Sequence, residues 1–568
     1  MKLDKPPEHT VCQYVIQYCW VEAGVPNGLE ASNQMTPTSP PPVSAHSTQD
    51  KLTMMEFAML HFREAQKYES TQNSTLTTLK RKSKKEWTWK DVADLVKFTK
   101  SPIQNPLLKL DKGDVDLMMY MGDYPLKKDN NYLDCVYKIM AACREHPILR
   151  DEVYCQVIKQ ITNNKSSKPD SALMGWRMLS ILTAYFDSSD LATIEELITV
   201  AFESTAMECF QNFRQTLQFG GRRFILSPQE LESISQGKNL KRQVYHLPGG
   251  TKKVINTKSV TVVEEIIKEL CIDLNVRSSL EQQEFSLCVV IESDNVMRIL
   301  SNDEYILDIT SELEEMKREY FLLLKRIVWM HPLRKDSELY TDIMFFQVLP
   351  DYIEGLLVVM RGPDSVSAAT MDDIATLGAL LACADDDWDG QMVTTRDIVH
   401  LLPKTVHNIR HVTLELWTDR INQKLRQLSS KTLPIVARAK FLDLLQTWPL
   451  FGSTFFYIPS VSDPRAKGEC LMALNRHGVQ FLDIHTHEVL FEFRLNEILS
   501  TQKSYPDGTA SMNQQSAVEH MDIKIGNMLQ QHVLTLRTDQ GAEISRLFGQ
   551  YIYVDSQSRG LLGIEGKH

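Results

Sequence analysis

MYMGDYPLKK (Met119–Lys128), CREHPILRDEVYCQVIKQITNN (Cys143–Asn164) and GWRMLSILTAYF (Gly175–Phe186) are the segments that decide how this 568-residue chain folds. In the second, Pro147 suits a first helical position, where its missing N–H leaves nothing unsatisfied, and Asp151 and Glu152 put negative charge at the helix N-terminus. Leu149, Val153, Val157 and Ile161 recur every four residues, which places them on one face. The spacing predicts a helix over 147–162 that docks an apolar side onto its neighbours, a device for packing rather than catalysis.

Working outward, the length calls for several domains, each able to bury its own core. Hydrophobic residues at 43% and charged residues at 24% fit a soluble globular protein. A formal net charge of −11 argues against a general nucleic-acid binder, because phosphate affinity comes from lysine and arginine. No stretch approaches the ~18 apolar residues that span a bilayer, and the start MKLDKPPEHT has no signal-peptide core. Ten cysteines with no CxxC pair read as reduced, buried thiols of a cytoplasmic protein.

Residues 1–50 are unassigned: a short apolar run from Val11 to Val21 is followed by the Pro/Ser/Thr-rich linker MTPTSPPPVSAHST. From 51 to 240 the spacing is helical, beginning with the stripe Leu52, Met55, Met59 and Phe62 and ending in FGGRR (Phe219–Arg223) and SPQELESIS. At Arg242 the period changes to two. RQVYHLPGGTKKVINT alternates around a Pro-Gly-Gly turn, which predicts a hairpin in which Gly249 or Gly250 takes positive φ. Thr261 and Glu264 form a capping-box pattern ahead of VVEEIIKELC, and FSLCVVI and YFLLLKRI read as strands. Helical spacing returns over 331–449, in LYTDIMFFQVLPDYIEGLLV, MDDIATLGALLACAD and ARAKFLDLLQTW. Beyond FGSTFFYI, over 450–555, the short strands ECLMALN, GVQFLDI, EVLFEF, MDIKIGN and HVLTLRT precede an amphipathic helix from Gln540 to Tyr553. Residues 556–568 are a tail.

The order MGDYP, LRDEVYCQVIKQ and GWRML resembles the MyTH4 domain of unconventional myosin tails, a helical bundle found next to a FERM domain. The later segments are similar to the three FERM lobes in order: ubiquitin-like over 241–330, helical and acyl-CoA-binding-protein-like over 331–449, PH/PTB-like over 450–555. The linker TWPLFGSTFFYI also resembles that of MyTH4-FERM myosins, and the chain as a whole is most similar to the tails of class XV. The resemblance implies a multidomain α+β chain, an all-helical bundle followed by a three-lobed FERM domain. Two segments, Leu110–Tyr120 and Asp190–Ala206, look shorter than the family's, each by roughly two turns at ~3.6 residues per turn. The bundle is therefore expected to be locally incomplete.

Catalytic signatures are missing from the sequence. No GxxxxGK[ST] loop occurs, so the nucleotide site of a motor is not expected here, nor is a GxSxG elbow or an active-site cysteine motif. Asp385, Asp387, Asp389 and Gly390 copy the first half of an EF-hand loop, but Arg396 stands where calcium needs a bidentate glutamate, and a solvated acidic loop is expected. His407 and His411 have zinc-ligand spacing on a presumed helix, yet HNIRH lacks the metalloprotease glutamate, and His485 and His487 lack a third ligand. No metal or cofactor is expected.

Docking features are stronger. Lys80, Arg81, Lys82, Lys84 and Lys85, ahead of Trp87 and Trp89, could attract an acidic peptide, anionic lipid or a microtubule, although an exposed loop carries such clusters too. Lys252 and Lys253, with Lys258, are a lesser version. A PTB-like third lobe implies a groove in which a peptide adds beside the fifth strand, here Ile498–Lys503 with Ile498, Ser500 and Gln502, and packs on the last helix through Ile544, Leu547 and Phe548. The bland alternative is that these apolar residues seal the sandwich. The C-terminal GIEGKH does not have the apolar end of a PDZ ligand.

The family resemblance implies a cargo-binding, cytoskeleton-associated tail that is not an enzyme. It would bind cytoplasmic protein cargo or adhesion-receptor tails in actin-rich protrusions such as stereocilia, and meet actin only through a motor. The bundle and first lobe would form one rigid unit whose cleft takes acidic or helical segments. Two rival readings remain open: a stand-alone FERM-type membrane–cytoskeleton linker acting through Lys252 and Lys253, and a microtubule-binding MyTH4-FERM protein acting through Lys80–Lys85.

Overall fold

The computed structural model describes residues 116–565 apart from 127, 129, 148, 162–163, 165, 189–203, 295, 361–364, 389, 408, 410–411, 429–431, 505–519 and 528–529. The basic run Lys80–Lys85 lies outside the described residues, as do most of the two segments expected to be short.

The N-terminal unit is a set of helices: α1 (Asp116–Tyr120), α2 (Tyr132–Glu145), α3 (Leu149–Ile161), α4 (Ser171–Tyr185), α5 (Ser204–Phe219) and α6 (Pro228–Ser235). Helix α2 starts at a reciprocal cap, Asn131 accepting from the Asp134 amide and Asp134 from the Asn131 amide, both at 2.9 Å. The expected helix over 147–162 is α3, with Pro147 standing two residues ahead of it rather than inside it. Val153 and Val157 are buried, and Ile161 is half-buried. Helix α4 is buried along most of its length because α3 and α5 pack on it from two sides. Tyrosine hydroxyls reach across the bundle to backbone carbonyls that would otherwise be orphaned: Tyr154 to Phe186 at 2.7 Å, Tyr137 to Leu226 at 2.9 Å, Tyr185 to Phe224 at 2.9 Å.

The next unit pairs β1 (Leu240–His246) with β2 (Lys252–Lys258) in the expected hairpin, and both Gly249 and Gly250 take positive φ. Helix α7 (Val263–Asp273), the short α8 (Ser279–Gln282) and α9 (Ile306–Glu315) accompany β3 (Phe285–Ile291), β4 (Val296–Ile299) and β5 (Tyr320–Arg326), giving the sheet order β2-β1-β5-β3-β4. The expected Thr261–Glu264 cap is displaced by one residue. Glu265 accepts from the Val262 amide at 3.2 Å, while Thr261 Oγ1 accepts from the Lys258 amide and closes the turn after β2. Val262 is held by a bridge to Tyr305, so the helix begins after it.

The bundle and this sheet share a core: Val260, Val262 and Tyr305 pack with the bundle's apolar residues. At the seam, Arg222 of FGGRR is buried between Glu230 of α6 and Asp308 of α9, donating Nε–H to Asp308 at 2.8 Å. The Arg223 amide donates to Asp308 at 2.7 Å, and Tyr305 donates its hydroxyl to the Gly220 carbonyl at 2.6 Å. Gly221 is required by approach, because a Cβ there would lie 1.9 Å from the Tyr185 carbonyl oxygen.

The helical lobe follows: α10 (Glu338–Glu354), α11 (Ala368–Ala384), α12 (Ile398–Leu401), α13 (Leu414–Gln427) and α14 (Pro434–Leu445). It is continuous with the core under the five-stranded sheet. Arg326 at the end of β5 is wholly buried with Glu284 and donates to it at 2.8 Å, to Tyr340 of α10 at 2.5 Å and to the His331 carbonyl at 2.8 Å. The last lobe stacks β10-β9-β8-β6 on β11-β12-β13-β7, from β6 (Thr454–Ile458), β7 (Ser460–Val461), β8 (Cys470–Asn475), β9 (Gly478–Asp483), β10 (Val489–Arg494), β11 (Ile498–Ser504), β12 (His520–Gly526) and β13 (Gln531–Arg537). The closing helix α15, Gly541–Glu565, is about three turns longer than the sequence led us to expect, at ~3.6 residues per turn. Its buried Tyr551 hydroxyl points at the carbonyls of Ile327 and Gly452, tying this lobe to both interlobe linkers.

Two outcomes follow from these buried charges. Arg222→Ala leaves Glu230 and Asp308 without their cation and should cost about 3–5 kcal/mol, read by urea denaturation of the full chain, with faster proteolysis between α6 and β1. At the lobe junction, its hydrogen bond to Glu284 holds the His331 imidazole above its ordinary range. A raised folded value means the stabilisation is complete below the unfolded pKa of ~6.5 and is lost as pH rises through the folded value. The melting temperature of the wild type minus that of His331→Gln should accordingly be largest in mild acid and shrink on the alkaline side.

Candidate functional site

The edge strand of the third lobe is the best-formed candidate for docking among the described residues. Among the described residues strand β11 pairs with β12 on one side, and α15 packs against it. Ile498 pairs with Ile525, but a bulge intervenes before Ser500, which pairs with Lys524; Thr501 pairs with Ile523, Gln502 with Asp522 and Lys503 with Met521. Paired residues share a sheet face. Since Met521 and Ile523 are buried inward, Thr501 and Lys503 stand on the helix side of the edge, and Ser500 and Gln502 on the outer side. Simple alternation from Ile498 would put Ile498, Ser500 and Gln502 together; the extra residue of the bulge reverses the parity.

The apolar members of the expected groove are corrected as well. Ile498, Ile544, Leu547 and Phe548 are all buried in one cluster with Phe481, Ile523 and Leu536, so they seal the sandwich and are not offered to a partner. The helix does present another flank to the edge. Gly541 lies against Met521, and Ser545, Gly549 and Ile552, four, eight and eleven residues on, continue that side. Gly549 and Ile552 are exposed, and a Cβ on Gly549 would meet nothing within 4 Å. The result is a shallow channel with β11 on one wall and Ser545, Gly549 and Ile552 on the other.

The remaining candidates resolve individually. Lys253 is engaged by Asp273 at 2.9 Å, whereas Lys252 is exposed on the other face of β2. In the acidic loop, Asp386 pairs with Arg438 at 2.8 Å; the same guanidinium holds Asp342 and the Ala384 carbonyl, an anchor between α10, α11 and α14. His407 is not on an α-helix. It closes a single 3₁₀ turn over Lys404–Val406, and α13 begins only at Leu414, capped by Thr413; His411 lies outside the described residues. His487 is buried with φ of +55° and its carbonyl accepts from the Met360 amide at 3.3 Å, joining the second and third lobes; burial lowers its imidazole pKa. Among the described residues no group of three or more His, Cys, Asp or Glu side chains could hold a metal ion, and no helix is long and apolar enough to cross a membrane.

The roles assigned here separate core from rim. Ile544→Ala should destabilise by about 2–5 kcal/mol and Phe548→Ala by about 3–5 kcal/mol, while Ser500→Ala and Gln502→Ala should stay within about 0.5 kcal/mol. Denaturant titration of the four variants checks this.

The comparisons agree with the architecture. Residues 136–233 match the MyTH4 domain, 242–327 an RA-like domain, 331–456 the FERM central domain and 459–555 a PTB domain of IRS-1 type. Human unconventional myosin-XV is 33% identical over 90% of this chain, and human unconventional myosin-XVB 29% over 76%. The chain spans only 15% and 13% of those relatives' lengths. The solved C-terminal MyTH4-FERM domain of human myosin 7b, in complex with the harmonin-a PDZ3 domain, superposes with a TM-score of 0.59 at 21% identity, covering 90% of this chain and 98% of that one. This chain carries a MyTH4 domain followed by a three-lobed FERM domain, the arrangement of unconventional-myosin tails.

Proposed function

We propose that the chain is a cargo-binding and cytoskeletal adaptor tail that engages protein partners without covalent chemistry, in the cytoplasm and at actin-rich protrusions such as stereocilia. The reading rests on the third lobe: among the described residues β11 is the edge strand of its sheet, and it lies beside the flank of α15 formed by Ser545, Gly549 and Ile552. An extended cargo segment adds there as a strand, backbone hydrogen bonds supplying affinity and alternate side chains supplying selectivity. Thr501 and Lys503 face the incoming strand from the helix side. The similarity to myosin-XV supports this role, as does the solved myosin 7b domain, whose complex contains a PDZ partner.

The test is selection of extended peptides from a random display library on the full chain, followed by titration against Gly549→Trp and Ile552→Glu. These two positions are exposed, so the fold should survive both changes. Selected peptides should weaken by about tenfold or more on each variant, about 1.4 kcal/mol. Peptides that bind both variants as tightly as the wild type would remove the groove from this function.

A further inference from the structure

The outer face of the β1–β2 hairpin carries a pattern that core packing does not explain. Strand β2 is an edge of the five-stranded sheet. Its partners across β1 form successive rungs: His246 with Lys252, Val244 with Val254, Arg242 with Asn256, Leu240 with Lys258. Ile255 and Thr257 point into the lobe and are buried, so these four rungs face away from it. Val244 is 39% exposed, Val254 51% and Leu240 53%. Met207 of α5, 57% exposed, lies near the Leu240 end, where the Lys258 ammonium donates to Gln211 of α5 at 3.1 Å.

The charges sort by face. Lys241 and Lys253, on the inner side, are matched by Glu314 at 2.6 Å and Asp273 at 2.9 Å. Arg242 and Lys252, on the outer side, are exposed and have no ion-pair partner among the described residues, although the chain as a whole carries −11. Lysines alone on an edge strand would be a guard against unwanted pairing. A guard does not call for an exposed valine pair at its centre, flanked by one unmatched cation on each side.

We propose that β2 is a second docking edge, independent of the channel beside β11, and that its occupant is an extended acidic segment of a partner protein added as a sixth strand. The rungs dictate its pattern. Side chains two apart on the added strand share the outer face at about 7 Å spacing, so an acidic residue sits at Lys252, an apolar one at Val254 and an acidic one at the Arg242–Asn256 rung. The predicted motif is acidic-x-apolar-x-acidic. Charge brings the segment in, backbone pairing along β2 holds it, and the Val244–Val254 pair sets its register.

The experiment uses the full chain and a fluorescent peptide with the core Glu-Thr-Val-Thr-Glu, against a peptide of the same composition with both glutamates adjacent. Fluorescence anisotropy should show the patterned peptide binding at least about tenfold tighter than the rearranged one, with a loss of similar size in Arg242→Glu/Lys252→Glu and in Val254→Asp. Gly549→Trp should leave this binding unchanged, which keeps it separate from the β11 channel. Hydrogen exchange on the wild type, which involves no variant that could misfold, should show amides of 252–258 protected by the patterned peptide. Equal binding of the two peptides, or no protection at β2, overturns the proposal. So does binding of phosphatidylserine vesicles that is lost in the charge-reversed variant while neither peptide binds, since the face would then be a lipid contact.

Discussion

Arg222 is the group on which the joined architecture depends. A guanidinium removed from water is stable only if its charge is met and its donors are used. Glu230 from the last bundle helix and Asp308 from the first FERM lobe meet it together. Neither unit can move away without leaving a buried charge behind. The constraint extends outward through Gly221, whose missing side chain lets the loop lie against the Tyr185 carbonyl, and through Tyr305, which caps the Gly220 carbonyl while contributing to the bundle core. A flexible pair of domains would present two unrelated surfaces. This seam makes one body of them, with α5 held beside the β1–β2 hairpin, where Lys258 donates to Gln211.

A second buried ion pair does the same for the FERM lobes. Arg326 and Glu284 are both fully enclosed, and their remaining hydrogen bonds reach Tyr340 in the helical lobe and the linker at Met330 and His331. Trp329 from that linker stacks edge-on with Phe451, and Gly452 leaves room for the indole. Tyr551 of the final helix closes the junction from the third lobe. The edges proposed for docking, β2 and β11, therefore sit on rigid supports rather than on loops, which lowers the ordering entropy that binding an extended segment has to overcome.

How much of this was legible in the chain depends on whether a feature is set locally. The α3 stripe of Val153 and Val157, the Pro-Gly-Gly hairpin and the strands of the third lobe follow from side-chain period and turn chemistry, which act over a few residues. The groove residues did not follow in the same way. Ile498, Ile544 and Phe548 look equally suited to a core or to a partner, because an apolar side chain carries no mark of what will cover it. Ser500 and Gln502 lie on the face opposite Ile498 because one inserted residue at a bulge reverses every later position, and bulges leave no dependable trace in composition. His407 shows the same limit: it has helical spacing in the sequence but closes a 3₁₀ turn, and α13 starts only after Thr413.

The sequence by itself determined the order and type of the modules, the hairpin and the absence of a nucleotide loop, since these rest on periodicity and on residue types at fixed spacing. Lys252 and Lys253 were equivalent there. Only the tertiary structure decided that Asp273 engages one and that the other is presented on an outer face with Arg242 and an exposed valine pair. Pairing of charges and covering of apolar surface are relations between distant segments, and adjacent residues of a strand point to opposite sides. A single position in the chain therefore cannot state its own partner.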